Sequence, residues 1–159
     1  MTESQKPHMK LNEEQLEVFR VLYPLFKEEV FRRREQMMRL SATASGFLVL
    51  MLVFMLVVAP WNAPTNIARW FAISGVALFS GLFAYLILQQ SERHQMAKYQ
   101  VIELEKGFGL YKEGWQPSGN ALYPKNWQSD WLADRSVTVY LAVIAALTAL
   151  VIGAILIRL

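Results

Sequence analysis

The chain has 159 residues, of which 54% are hydrophobic and 18% charged, with a formal net charge of +3 and a mean hydropathy of +0.23. Such a balance excludes an ordinary water-soluble domain, and the absence of cysteine excludes disulfides and thiol catalysis. The small positive excess needs no nucleic acid to explain it, because the charges are segregated along the chain.

Residues 1–10 are polar, include Pro7, and read as a tail. A helix is expected next, with Asn12 as its cap, Gln15 as capping-box partner, and Leu11 against Leu16 as a hydrophobic staple. Pro24 predicts a break or kink near Tyr23, since proline is tolerated in a first helical turn but not inside a helix. From Pro24 the helix can continue into the apolar run. Glu28 with Arg32, Glu29 with Arg33 and Glu35 with Arg39 form i,i+4 pairs with the acid N-terminal, the favourable order. Leu16, Phe19, Tyr23, Phe26, Val30, Met37 and Leu40 recur at steps of three, four and seven, one stripe suited to helix packing. Residues 1–40 are thus a cytoplasmic tail and amphipathic helix.

No Asp, Glu, Lys or Arg occurs between Arg39 and Arg69, between Arg69 and Glu92, or between Arg135 and Arg158. Each gap matches the roughly 20 residues a helix needs to cross hydrocarbon. Three spans follow, at about 41–60, 67–90 and 136–157. About 40 residues precede the first, which is unlike a signal peptide. The first two spans form a hairpin, residues 41–90, joined by the short turn WNAPTN, with Trp61 and Trp70 at headgroup level.

Span two is expected to run on as a helix to Gly107, with Met96, Tyr99 and Ile102 facing the first helix. The extensions of spans one and two then form a stalk. Residues 91–135 comprise this cytoplasmic helix and an aromatic loop. Gly107, Gly109, Gly114, Gly119, Pro117 and Pro124 break the helical pattern. Trp115, Tyr123, Trp127 and Trp131 make the loop either an interfacial aromatic belt or a surface for a cytoplasmic partner or ligand. Residues 136–159 form the third transmembrane helix.

The fold class expected is an all-α integral membrane protein: three transmembrane helices, a hairpin with long cytoplasmic helical extensions, and an aromatic-rich loop before the third span. Of the 16 basic residues, eight precede span one and six lie in 91–135. That excess predicts an inner-membrane protein with a cytoplasmic N-terminus and an external C-terminus.

Chemistry is sparse. His8 and His94 belong to no metal-ligand spacing, and Asp130 with Asp134 reads as a solvated cap of span three. The glycines at 107 and 109 lack the preceding strand of a phosphate loop, and Ser118 is not in a nucleophile elbow. No cofactor is expected, and no enzyme. No charged residue occupies a span centre, which argues against a proton or ion relay. Ser74, Ser80, Tyr85 and Thr148 are the main polar groups within the spans. Small residues repeat instead: Ala145, Ala149 and Gly153 in span three, and Ser74, Ala77 and Gly81 in span two. Such spacing lets helix backbones approach. The expectation is a small self-associating membrane protein, a multimeric pore or membrane-perturbing effector. The alternative is a membrane-anchored binding module or accessory subunit that recruits a partner through residues 107–135.

Overall fold

A computed structural model describes residues 12–57, 66–114, 119–124, 126 and 135–158. They form three helices, α1 (Glu13–Val57), α2 (Asn66–Gly107) and α3 (Ser136–Arg158). Each is long and apolar enough to cross a membrane. Two compact units result: a stalk unit of residues 1–31 with 95–133, and an apolar unit of residues 32–94 with 134–159.

Asn12 caps α1 as expected, its side-chain oxygen accepting the Glu13 N–H at 2.9 Å. Leu11 and the Gln15 side chain lie outside the described residues. The break expected at Pro24 does not occur: α1 runs through it without interruption. Pro24 is exposed, and so is Arg20, whose carbonyl loses its helical donor and can turn to water. On the opposite side, Tyr23, Phe26 and Val30 are held by packing, so the lost hydrogen bond does not end the helix.

Within the stalk unit, buried Val30 packs with Ala97 and Val101, and Tyr23 and Phe26 lie against them. Phe19 and Tyr23 each meet Phe108 edge-on at 5.9 Å. The stripe expected on α1 does face inward; Val30 and Met37 are buried and the others half-buried. The expected face of α2 is wrong in part. Ile102 is buried, but Met96 and Tyr99 are 67% and 57% exposed. The buried positions on this part of α2 are instead Ala97, Lys98, Val101, Ile102 and Glu105, two adjacent rows that recur at steps of three and four. Ala97 and Val101 pack against Val30 of α1, and polar Lys98 and Glu105 share the buried positions with Ile102.

The α2 terminus has a Schellman geometry. Leu110 N–H donates to the Glu105 carbonyl at 3.1 Å and Gly109 N–H to that of Lys106 at 2.9 Å. Gly109 is the left-handed residue that makes this possible, at φ +72°. Gly109→Ala should destabilise the protein by about 1–2 kcal/mol, the left-handed penalty of a Cβ. The new Cβ would also stand 3.2 Å from Cδ of Lys112. Thermal unfolding of the variant tests this, and an unchanged midpoint would refute it.

The apolar unit has one core to which all three helices contribute: Ala44 and Leu48 from α1, Val76 and Ile87 from α2, and Ile144, Val151 and Ile155 from α3. Phe47 meets Phe79 at 4.6 Å between ring centres. The hydroxyls of Ser80 and Thr148 stand 2.7 Å apart, and Thr148 also lies 2.7 Å from the Ile144 carbonyl. With its single proton given to that carbonyl, Thr148 accepts from Ser80.

Candidate functional site

The stalk unit contains a buried polar cluster. Tyr23 and Lys27 are one turn apart on α1, Glu105 stands near the end of α2, and Tyr111 and Tyr123 come from the loop beyond it. The loop is closed by its own backbone, Tyr123 N–H donating to the Leu110 carbonyl at 3.1 Å and Gly114 N–H to that of Gly119 at 2.9 Å. Gly114 and Gly119 supply left-handed turns at φ +97° and +82°. That closure brings Tyr111 and Tyr123 within 5.9 Å of each other.

Glu105 is only 4% exposed. Its Oε1 accepts from the Tyr23 hydroxyl at 2.9 Å and its Oε2 from the Tyr111 hydroxyl at 2.5 Å. Lys27 Nζ lies 3.6 Å from Oε1 and donates to the Tyr123 hydroxyl at 3.4 Å. The same ammonium sits over the Tyr23 ring at 4.7 Å and the Tyr123 ring at 5.5 Å. Burial, above all, raises the Tyr23 phenol well past its usual range, helped by hydrogen bonds to Tyr123 and Glu105. Tyr111 is raised by burial first and then by its bond to Glu105. Both phenols therefore stay protonated as donors to a carboxylate that needs two.

These groups satisfy one another, so the cluster's chemistry is that of a fastening. It ties the aromatic loop to both helices through charge-assisted hydrogen bonds. Of the loop residues expected to meet a partner, Tyr123 is half-buried and bonded within the chain. Trp115, Trp127 and Trp131 lie outside the described residues, as do Asp130 and Asp134. Sequence reasoning missed Tyr23, Lys27, Glu105 and Tyr111 as site residues. One signal was available: Glu105 falls four residues after Val101 and eight after Ala97, a carboxylate on a buried face.

The packing residues of the spans are placed differently. On α3, the core residues Ile144, Val151 and Ile155 share one face. At 100° per residue, Ala145, Ala149 and Gly153 fall on the other side. Ala145 and Ala149 are exposed, and a Cβ on Gly153 would meet nothing within 4 Å. Ser74, Ala77 and Gly81 on α2 are likewise exposed, opposite buried Val76, Ser80 and Ile87. Branched side chains predominate on the inward faces of α2 and α3, and these small residues lie away from them, beside exposed Leu78, Leu82, Val143 and Leu150. Searches of protein-family models, of curated proteins and of solved structures each return no match for this chain.

Proposed function

We propose that this is a small, non-enzymatic, multi-pass inner-membrane protein that assembles with copies of itself through the small-residue faces of its spans. The observation that carries this reading is the exposure of Ala145 and Ala149 together with the open space at half-buried Gly153. Lipid alone gives a helix no reason to prefer small residues there, whereas a second helix packs more closely for each of them. A glycine in a helix interior also costs about 1 kcal/mol relative to alanine. The space where a side chain at Gly153 would stand is open within the chain, and a neighbouring backbone seated there would offset that cost.

The excess of basic residues before span one and in 91–135 puts the stalk unit in the cytoplasm and the C-terminus outside. Nothing in the fastened Tyr–Glu–Lys cluster presents a free nucleophile, which favours assembly over catalysis.

Ala149→Leu combined with Gly153→Leu is expected to reduce the particle to a monomer. Both positions face away from the core, so the thermal midpoint of the chain itself should hold. Mass measurement of the purified particle in detergent decides the matter, and an oligomer of unchanged mass would sink the reading. Dye release from liposomes carrying the protein alone tests whether the assembly is also a pore.

A further inference from the structure

We propose that arginines at one end of the apolar unit form a collar that binds the phosphates of anionic phospholipids. Among the described residues, α1 and α2 pass between the two units at 31/32 and 94/95, and α3 begins at Ser136. An arginine stands within two residues of each of these places: Arg32, Arg93 and Arg135.

Counting along the helices puts these arginines at one height. Phe47 touches Phe79, and fourteen residues separate Phe47 from Arg33 and Phe79 from Arg93. Thr148 touches Ser80, and thirteen residues separate Thr148 from Arg135 and Ser80 from Arg93. At 1.5 Å per residue, the arginines of all three helices lie about 20 Å from the Phe47–Phe79 and Ser80–Thr148 layer. That layer is close to the middle of the uncharged stretch of each helix. Half the hydrocarbon thickness is about 15 Å, so the arginines stand at headgroup depth.

Arg32, Arg34, Arg93 and Arg135 are exposed, and Arg33 is half-buried. Arg39 is nearer the hydrocarbon and reaches back one turn to Glu35 at 2.7 Å, as a snorkelling side chain does. Glu28, Glu29 and Glu35 stand one turn before Arg32, Arg33 and Arg39, so the collar draws chiefly on Arg34, Arg93 and Arg135, with Glu92 and Asp134 beside them. Guanidinium forks match phosphate oxygens in pairs. Exposed apolar side chains lie one turn deeper on the same faces, Met38 below Arg34 and Val139 below Arg135. Phosphate contact above and acyl contact below specify a lipid, not a soluble anion. The collar needs only that the helices cross lipid; it serves a single chain or an assembly alike.

The test is native mass spectrometry of the full chain in detergent, titrated with phosphatidylglycerol, phosphatidylcholine or glycerol phosphate. Wild type should retain phosphatidylglycerol in preference to the other two, with the preference weakening as salt rises. Replacing Arg34, Arg93 and Arg135 together by Gln should weaken that retention by roughly a hundredfold, about fivefold for each charge. The matching triple Lys variant keeps the charges but not the forks, so it should bind phosphatidylglycerol more weakly than wild type and more tightly than the Gln variant. Where the Gln variant does not fold, a Lys variant that binds as wild type would overturn the guanidinium collar. Equal retention of the two lipids, a Gln variant that binds as wild type, or equal capture of glycerol phosphate would overturn the collar. Association with neither lipid would overturn it too, while the self-assembly reading is judged separately by the particle mass.

Discussion

Replacing Glu105 by alanine should destabilise the stalk unit by about 3 kcal/mol, the low end for breaking a buried ion pair. Its carboxylate is the acceptor for both the Tyr23 and the Tyr111 hydroxyls and the nearest anion to Lys27, at 2.9, 2.5 and 3.6 Å. Alanine leaves two phenols and an ammonium facing a cavity. The low end applies because the Lys27 side chain is 34% exposed and recovers water. Glu105→Gln should cost less, about 1–2 kcal/mol, since the amide keeps the shape but offers one acceptor where two are needed. Thermal or denaturant unfolding of the two variants provides the comparison. Equal stability of wild type and the alanine variant would mean that the cluster fastens nothing.

The same cluster sets an alkaline limit. Tyr23 and Tyr111 have phenols raised in the folded state above their ordinary value of about 10. The fold favours their protonated form, so this stabilisation is complete below about pH 10 and is lost as pH rises beyond it. Unfolding midpoints should fall steeply on that alkaline side in wild type and less steeply in Glu105→Ala, where the bond that helps raise both phenols is gone. A flat midpoint across that range in wild type would contradict the arrangement.

The three apolar helices were legible because missing charge is a property of the sequence in one dimension. The inward face of α1 was legible too, its large apolar residues recurring at helical spacing from Leu16 to Leu40. On α2 the same reasoning chose Met96 and Tyr99, which are exposed, because His94, Lys98 and Glu105 occupy buried positions and break the hydrophobic period. Whether a polar group is buried depends on the partner that satisfies it, and Tyr23 is 82 residues from Glu105. No local pattern joins them. The small-residue repeats were visible in α2 and α3, but their direction was not. It depends on which side the branched residues fill, and Ile144, Val151 and Ile155 compete with Ala145, Ala149 and Gly153 only in three dimensions. The helix end expected at Gly107 is where α2 ends, and Gly109, at positive φ, is the residue that stops it.

Pro24→Ala should stabilise the chain by about 2 kcal/mol. Proline in a helix interior is about 3 kcal/mol less favourable than alanine. About 0.4–1 kcal/mol of that is returned, because alanine frees the unfolded chain. Pro24 is exposed within α1, so alanine loses no core contact and restores the hydrogen bond to the Arg20 carbonyl. The sign of the measured change carries more than its size. N-terminal to Pro24, the helix places Phe19 and Tyr23 against Phe108, and Tyr23 also holds Glu105. A higher unfolding midpoint would mean that these contacts hold α1 continuous despite its proline. A lower midpoint would mean that the local distortion at Pro24 is built into their fit, and that straightening the helix draws Phe19 and Tyr23 away from the loop.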